Sequence, residues 1–121
     1  MSDRPFPAGF YDGVRRFAAG DYFEAHEAFE ECLDAVESDE RWDLLVALVQ
    51  VAVGYHKLAS GHPGAERMLG LGHEKLLAFP DVAWGVAVAA LRARIAADRR
   101  RPSADRLRAD PPRIELVRVR V

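Results

Sequence analysis

The sequence predicts an all-α fold: a single compact bundle of about five mostly antiparallel helices with an extended C-terminal arm. Two observations carry this. Between glycines and prolines set at regular distances, the apolar residues recur with a helical rather than an alternating period. After Ala97 that period stops in a run rich in Arg, Pro and Asp. The bundle is assigned to residues 1–98 and the arginine-rich arm to residues 99–121.

Phe10, Val14 and Phe17 make a first short stripe, closed by Gly20 where helices commonly turn left-handed. Asp21 and Glu24 have the spacing of a capping box for a second helix over residues 22–36, with Tyr22, Ala25, Phe29, Leu33 and Val36 on its apolar face. Ser38, Asp39 and Glu40 supply the cap and first-turn acids of a third helix reaching Leu58. Ser60 and Gly61 stop it. Pro63 suits the first turn of a fourth helix, which Pro80 closes, and a last helix carries Val88, Leu91 and Ile95. The expected core is Phe17, Phe29, Leu33, Leu45, Val49, Val53, Met68, Leu69, Leu76, Leu91 and Ile95. Val117, Val119 and Val121 alternate with Arg118 and Arg120, the pattern of a strand that needs a partner.

A chain of 121 residues can bury about two-thirds of its unfolded surface, so one core forms without staples. The longest apolar run, residues 44–55, is interrupted by Gln50 and too short to span a bilayer, and no secretory leader is recognisable, so no membrane association is expected. Cys32 is the single cysteine, which excludes an internal disulfide and a paired-cysteine metal knuckle and points to a reduced, cytoplasmic setting. Cys32 itself reads as a small buried hydrophobe.

The net charge of −2 hides a gradient. Residues 1–40 hold 11 acids and 3 bases, whereas residues 92–121 hold 4 acids and 10 arginines. The arm is therefore expected to lie on an acidic surface, its own or that of a second copy in a homodimer. Nucleic acid is not the expected partner, because no aromatic side chains are interleaved with the arm's arginines. An unidentified protein partner is also compatible with this surface.

The sharpest local feature lies in the second helix. At 100° per residue, Phe23, His26, Glu27 and Glu30 share about a third of its circumference beside the main apolar stripe. His26 and Glu30, at i and i+4, can both approach one cation or one water, and they can equally form an ordinary helix-surface hydrogen bond. Gln50, the only side-chain amide in the chain, sits within the most apolar helix, with His56 six residues on. Each needs a polar partner if buried, and the His26, Glu27 and Glu30 face is the obvious source. Phe23 and Gln50 would line the pocket between them. His73 with Glu74 repeats the His-Glu pair without a following acid, and His62 reads as a cap before Pro63.

With these residues assembled, the sequence resembles the family of domain of unknown function 309, small helical proteins sometimes labelled predicted metal-dependent hydrolases. The resemblance spans residues 10–97 and rests on an ordered series. It comprises Gly20-Asp21-Tyr22-Phe23-Glu24-Ala25-His26-Glu27 with Glu30, then Gln50 with His56, Gly61 with Gly64-Ala65, and Pro80 with Gly85-Val86 and Val88. Leu33 stands where the family usually has Trp, and Ala87 where it usually has Asp. By position, the resemblance implies His26, Glu27, Glu30, Gln50 and His56 as the characteristic polar residues.

Two function classes follow. In the first, His26, Glu30 and His56 bind a divalent cation, zinc or manganese, and Glu27 is the catalytic general base for a bound water. In the second, which we favour, the same cluster fixes helix packing in a non-enzymatic interaction or scaffold module. A weak nucleic-acid binder acting through the arginine arm is a third alternative.

Overall fold

The computed structural model describes residues 4–117. Six helices appear among them: α1 (Ala8–Ala18), α2 (Tyr22–Glu31), α3 (Glu40–Ala59), α4 (Ala65–Leu76), α5 (Val88–Arg100) and α6 (Ala104–Ala109). The bundle is all-α but for one hairpin, β1 (Val82–Ala83) against β2 (Val86–Ala87), antiparallel with Ala83 opposite Val86. None of the helices described is long and apolar enough to cross a membrane.

The α3 helix is the hub. It packs against α2 and α4 and touches α6, while α1 lies on α2 and α5 on α4. Its buried residues Leu44, Leu45, Ala47, Leu48, Val51, Ala52, Tyr55 and Leu58 surround much of its circumference. Neighbours on several sides explain why its sequence shows no single apolar stripe. They also explain an error in the expected core. Val49 and Val53 are only partly buried, as are Leu33 and Met68, whereas Leu44, Leu48, Val51 and Tyr55 are fully inside. Close approach of α4 needs glycine at the contact: a Cβ on Gly54 would lie 2.7 Å from Leu69 Cδ2, and one on Gly72 2.7 Å from Val51 Cγ2. Phe6, Phe10, Phe17 and Phe29 complete the core around α1 and α2, with Phe6 stacked on Phe10 at 4.1 Å.

Several expected signals operate as read. Gly20 and Gly61 end helices at φ +84° and +70°. Asp39 caps α3 by accepting from the Arg41 backbone N–H at 2.9 Å. Cys32 is buried, its thiol donating to the Ala28 carbonyl at 3.3 Å. His62 Nδ1 accepts from the Gly64 backbone N–H at 3.0 Å in the turn before α4. The Asp21 capping box does not form: the Asp21 backbone (φ −88°, ψ 66°) departs from a cap's extended geometry, and its side chain bonds no helix N–H. The second helix is also shorter than expected, ending at Glu31 before a separate 3₁₀ turn, Asp34–Val36.

The C-terminal arm folds back on its own bundle. Leu107 on α6 and Ile114 beyond it are buried. Leu116 bridges Val86 on the outer side of the hairpin, the Ala87 N–H donating to Glu115 O at 2.9 Å and the Val117 N–H to Gly85 O at 2.6 Å. The expected alternation from Val117 onward lies, beyond Val117 itself, outside the described residues.

Candidate functional site

Three turns of α2 and the last two turns of α3 position the site. Phe23 is 46% exposed, an outlier for a large apolar side chain in a helix whose Tyr22, Ala25 and Phe29 are buried. Its ring meets the His26 imidazole at a centroid distance of 4.9 Å and the His56 imidazole at 5.5 Å. Phe23 is thus the point where α2 and α3 bring their histidines together.

His26 is half-buried, and its Nδ1 lies 2.5 Å from the Phe23 carbonyl oxygen. A carbonyl can only accept, so Nδ1 carries the proton and, in the neutral ring, Nε2 is left with a lone pair. That Nε2 faces Glu30 Oε2 at 3.5 Å. Two acceptors facing each other call for a proton on the imidazole or a donor between them. Glu27 and Glu30 are exposed and line a shallow cleft of about 420 Å³ with Glu31, Leu33 and Asp34. His56 is exposed on α3.

These positions test the candidate ligands. No three His, Cys, Asp or Glu side chains among the described residues are grouped so as to hold a metal ion. His26 and His56 each meet the Phe23 ring, and of the three proposed ligands His26 and Glu30 face each other. Gln50 corrects a second expectation: its Oε1 is buried but has no hydrogen-bond partner in the structure described, so no polar group from the α2 face satisfies it.

A polar cluster that the sequence reading missed lies deeper. Asp98 is 2% exposed, and its Oδ2 accepts from Tyr55 Oη at 2.6 Å and from Arg94 Nε at 2.8 Å. Arg94 also donates to the Asp110 carbonyl, tying α5 to the arm. Burial, reinforced by the Asp98 carboxylate, raises the Tyr55 pKa far above its ordinary value, and burial pushes that of Tyr22 up to about 12. Tyr22 lies beside Tyr55, ring centroids 5.7 Å apart, yet its hydroxyl is buried without a partner. The sequence did hold a signal for Asp98. Leu91, Ile95 and Asp98 follow i, i+4, i+7 spacing, which puts the acid on the buried face of α5.

Among known families, residues 10–69 match the one described as a domain of unknown function, DUF309. A search of curated proteins finds no match to the chain.

Proposed function

Since the chain belongs through residues 10–69 to the family of domain of unknown function 309, whose description assigns no activity, we propose a function from the site alone: a non-enzymatic interaction module that docks a second copy of the chain on its Phe23 face. The exposed Phe23 ring, set between two imidazoles and rimmed by carboxylates, carries this reading. An aromatic anchor with a charged rim is what a docking surface needs. The complementary segment is residues 113–117, where Leu116 and Val117 are 47% and 44% exposed. Arg113 beside them has no carboxylate partner among the described residues.

Light scattering tests it, with thermal melting alongside. The wild type forms a dimer that raised salt weakens, since exposed charges are screened beyond about 8 Å at physiological ionic strength. Phe23→Ala is monomeric, and at protein concentrations low enough for the wild type to be monomeric too the two melt alike. A wild type monomeric at low salt rejects the reading. Zinc or manganese raising the wild-type melting temperature, with that rise lost in Glu30→Ala, would replace it with the metal-dependent hydrolase reading in which Glu27 is the base.

A further inference from the structure

Half of the eight arginines described from α5 onward find carboxylates. Arg92 pairs with Asp81, Arg94 with Asp98 and Asp110, Arg99 with Glu66, and Arg108 with Asp105. Arg100, Arg101, Arg106 and Arg113 have no carboxylate partner among the described residues. Three of these four line one cleft of about 460 Å³ between the end of α5 and the start of α6, and Ala97 is its other lining residue.

The cleft is held in shape by its backbone. Ser103 Oγ accepts from the Arg106 backbone N–H at 3.2 Å, and Arg106 Nη1 donates to the Arg101 carbonyl at 3.3 Å. One guanidinium is thereby oriented while most of its donors stay open. Three like charges around one concavity repel one another, and no carboxylate lines it to offset them. An oxyanion would relieve that repulsion, and the planar fork of a guanidinium matches phosphate oxygens two at a time. The single apolar contribution is the Ala97 methyl, so no wall exists on which a nucleobase could stack. Recognition would rest on the phosphate oxygens alone.

We propose that Arg100, Arg101 and Arg106 form a binding site for a small molecule carrying two or more phosphate charges. The cleft volume is within the range of small-ligand pockets, about 300–1,000 Å³. The site is independent of the Phe23 face.

Calorimetric titration of the full chain with inorganic pyrophosphate at low salt tests the assignment. The expected result is saturable one-to-one binding that Arg100→Ala and Arg106→Ala each weaken about tenfold or more. Arg108→Ala and Arg67→Ala change it by less than about twofold, as exposed charges outside the cleft should. All three lining arginines are solvent-exposed, so unchanged melting of the variants confirms that any loss is one of binding. Absence of saturable binding overturns the site, and so does an equal loss in Arg108→Ala, which would mean a diffuse basic field. A mixed-sequence single-stranded oligonucleotide provides the second arm. Binding tighter than that of pyrophosphate and growing with oligonucleotide length would give the cleft to a nucleic-acid backbone and overturn the small-molecule assignment.

Discussion

Tyr22 and Tyr55 are adjacent, buried and chemically identical, yet replacing each by Phe has opposite consequences. Tyr55→Phe removes a donor from a carboxylate that is 2% exposed, so it should destabilise by about 1–3 kcal/mol. Tyr22→Phe removes a hydroxyl that has no partner, so it should be neutral or stabilise by up to about 1 kcal/mol. Urea denaturation of the two variants checks both signs. The alkaline limb gives a further reading. The unfolded chain releases its phenolic protons near pH 10, whereas Tyr22 in the fold holds its proton to about 12. The unfolded state therefore binds fewer protons in that window, stability falls as pH rises through it, and Tyr22→Phe makes the fall shallower. The same scale shows the limit of sequence reading. His26 and Glu30 were legible as an i, i+4 pair, and their side chains do face each other at 3.5 Å. Whether Gln50 would find a partner depends on the rotation of α3 against α2, which no local pattern encodes.

At the scale of elements, the long helices were legible because each carries several turns of apolar period. The hairpin was not, since strands of two residues hold no period to read. Its turn, Trp84-Gly85, has positive φ at both positions, and the usual turn signal would be Asn or Asp where Trp84 stands. Packing against Phe6 and Phe79, at 6.5 and 6.2 Å between ring centroids, holds the indole there. The α3–α4 contact yields a sharper expectation. Gly72→Ala would place a methyl 2.7 Å from Val51 Cγ2 and 3.2 Å from the Val51 backbone nitrogen, which cannot move aside. Overpacking of about 1–3 kcal/mol should outweigh the gain in helix propensity of about 1 kcal/mol. Gly70→Ala meets only the end of the Arg99 side chain at 3.1 Å, which can swing away, so there the propensity gain should prevail. Thermal melting should move in opposite directions for the two variants, two positions apart on one helix.

At the scale of the whole molecule, the charge gradient was legible, but the ion pairs described for the arm do not reach the acids of residues 1–40. Arg94 reaches Asp98 and Asp110, and Arg99 reaches Glu66 at 2.7 Å. The burial of Leu107 was not legible, because it is an isolated apolar residue amid Arg and Asp, and that of Ile114 was not, because Leu116 and Val117 beside it are equally apolar yet exposed. An arm held by three buried residues, Leu107, Pro112 and Ile114, by the Arg94–Asp110 contact and by one backbone bridge should open more readily than the helices. In native-state hydrogen exchange, the Ala87 and Val117 amides should therefore exchange well before those of the central turns of α3. Equal protection at both places would mean that arm and bundle open together. The bridge from Val86 to Leu116 also sets an order in time. Helices α1 to α4 pack chiefly on their neighbours in sequence and can assemble while synthesis continues, but the hairpin's outer edge must wait for a residue made much later. A nascent chain paused within α5 would hold an almost finished bundle and, on β2, a strand edge still unpaired and open to the wrong neighbour.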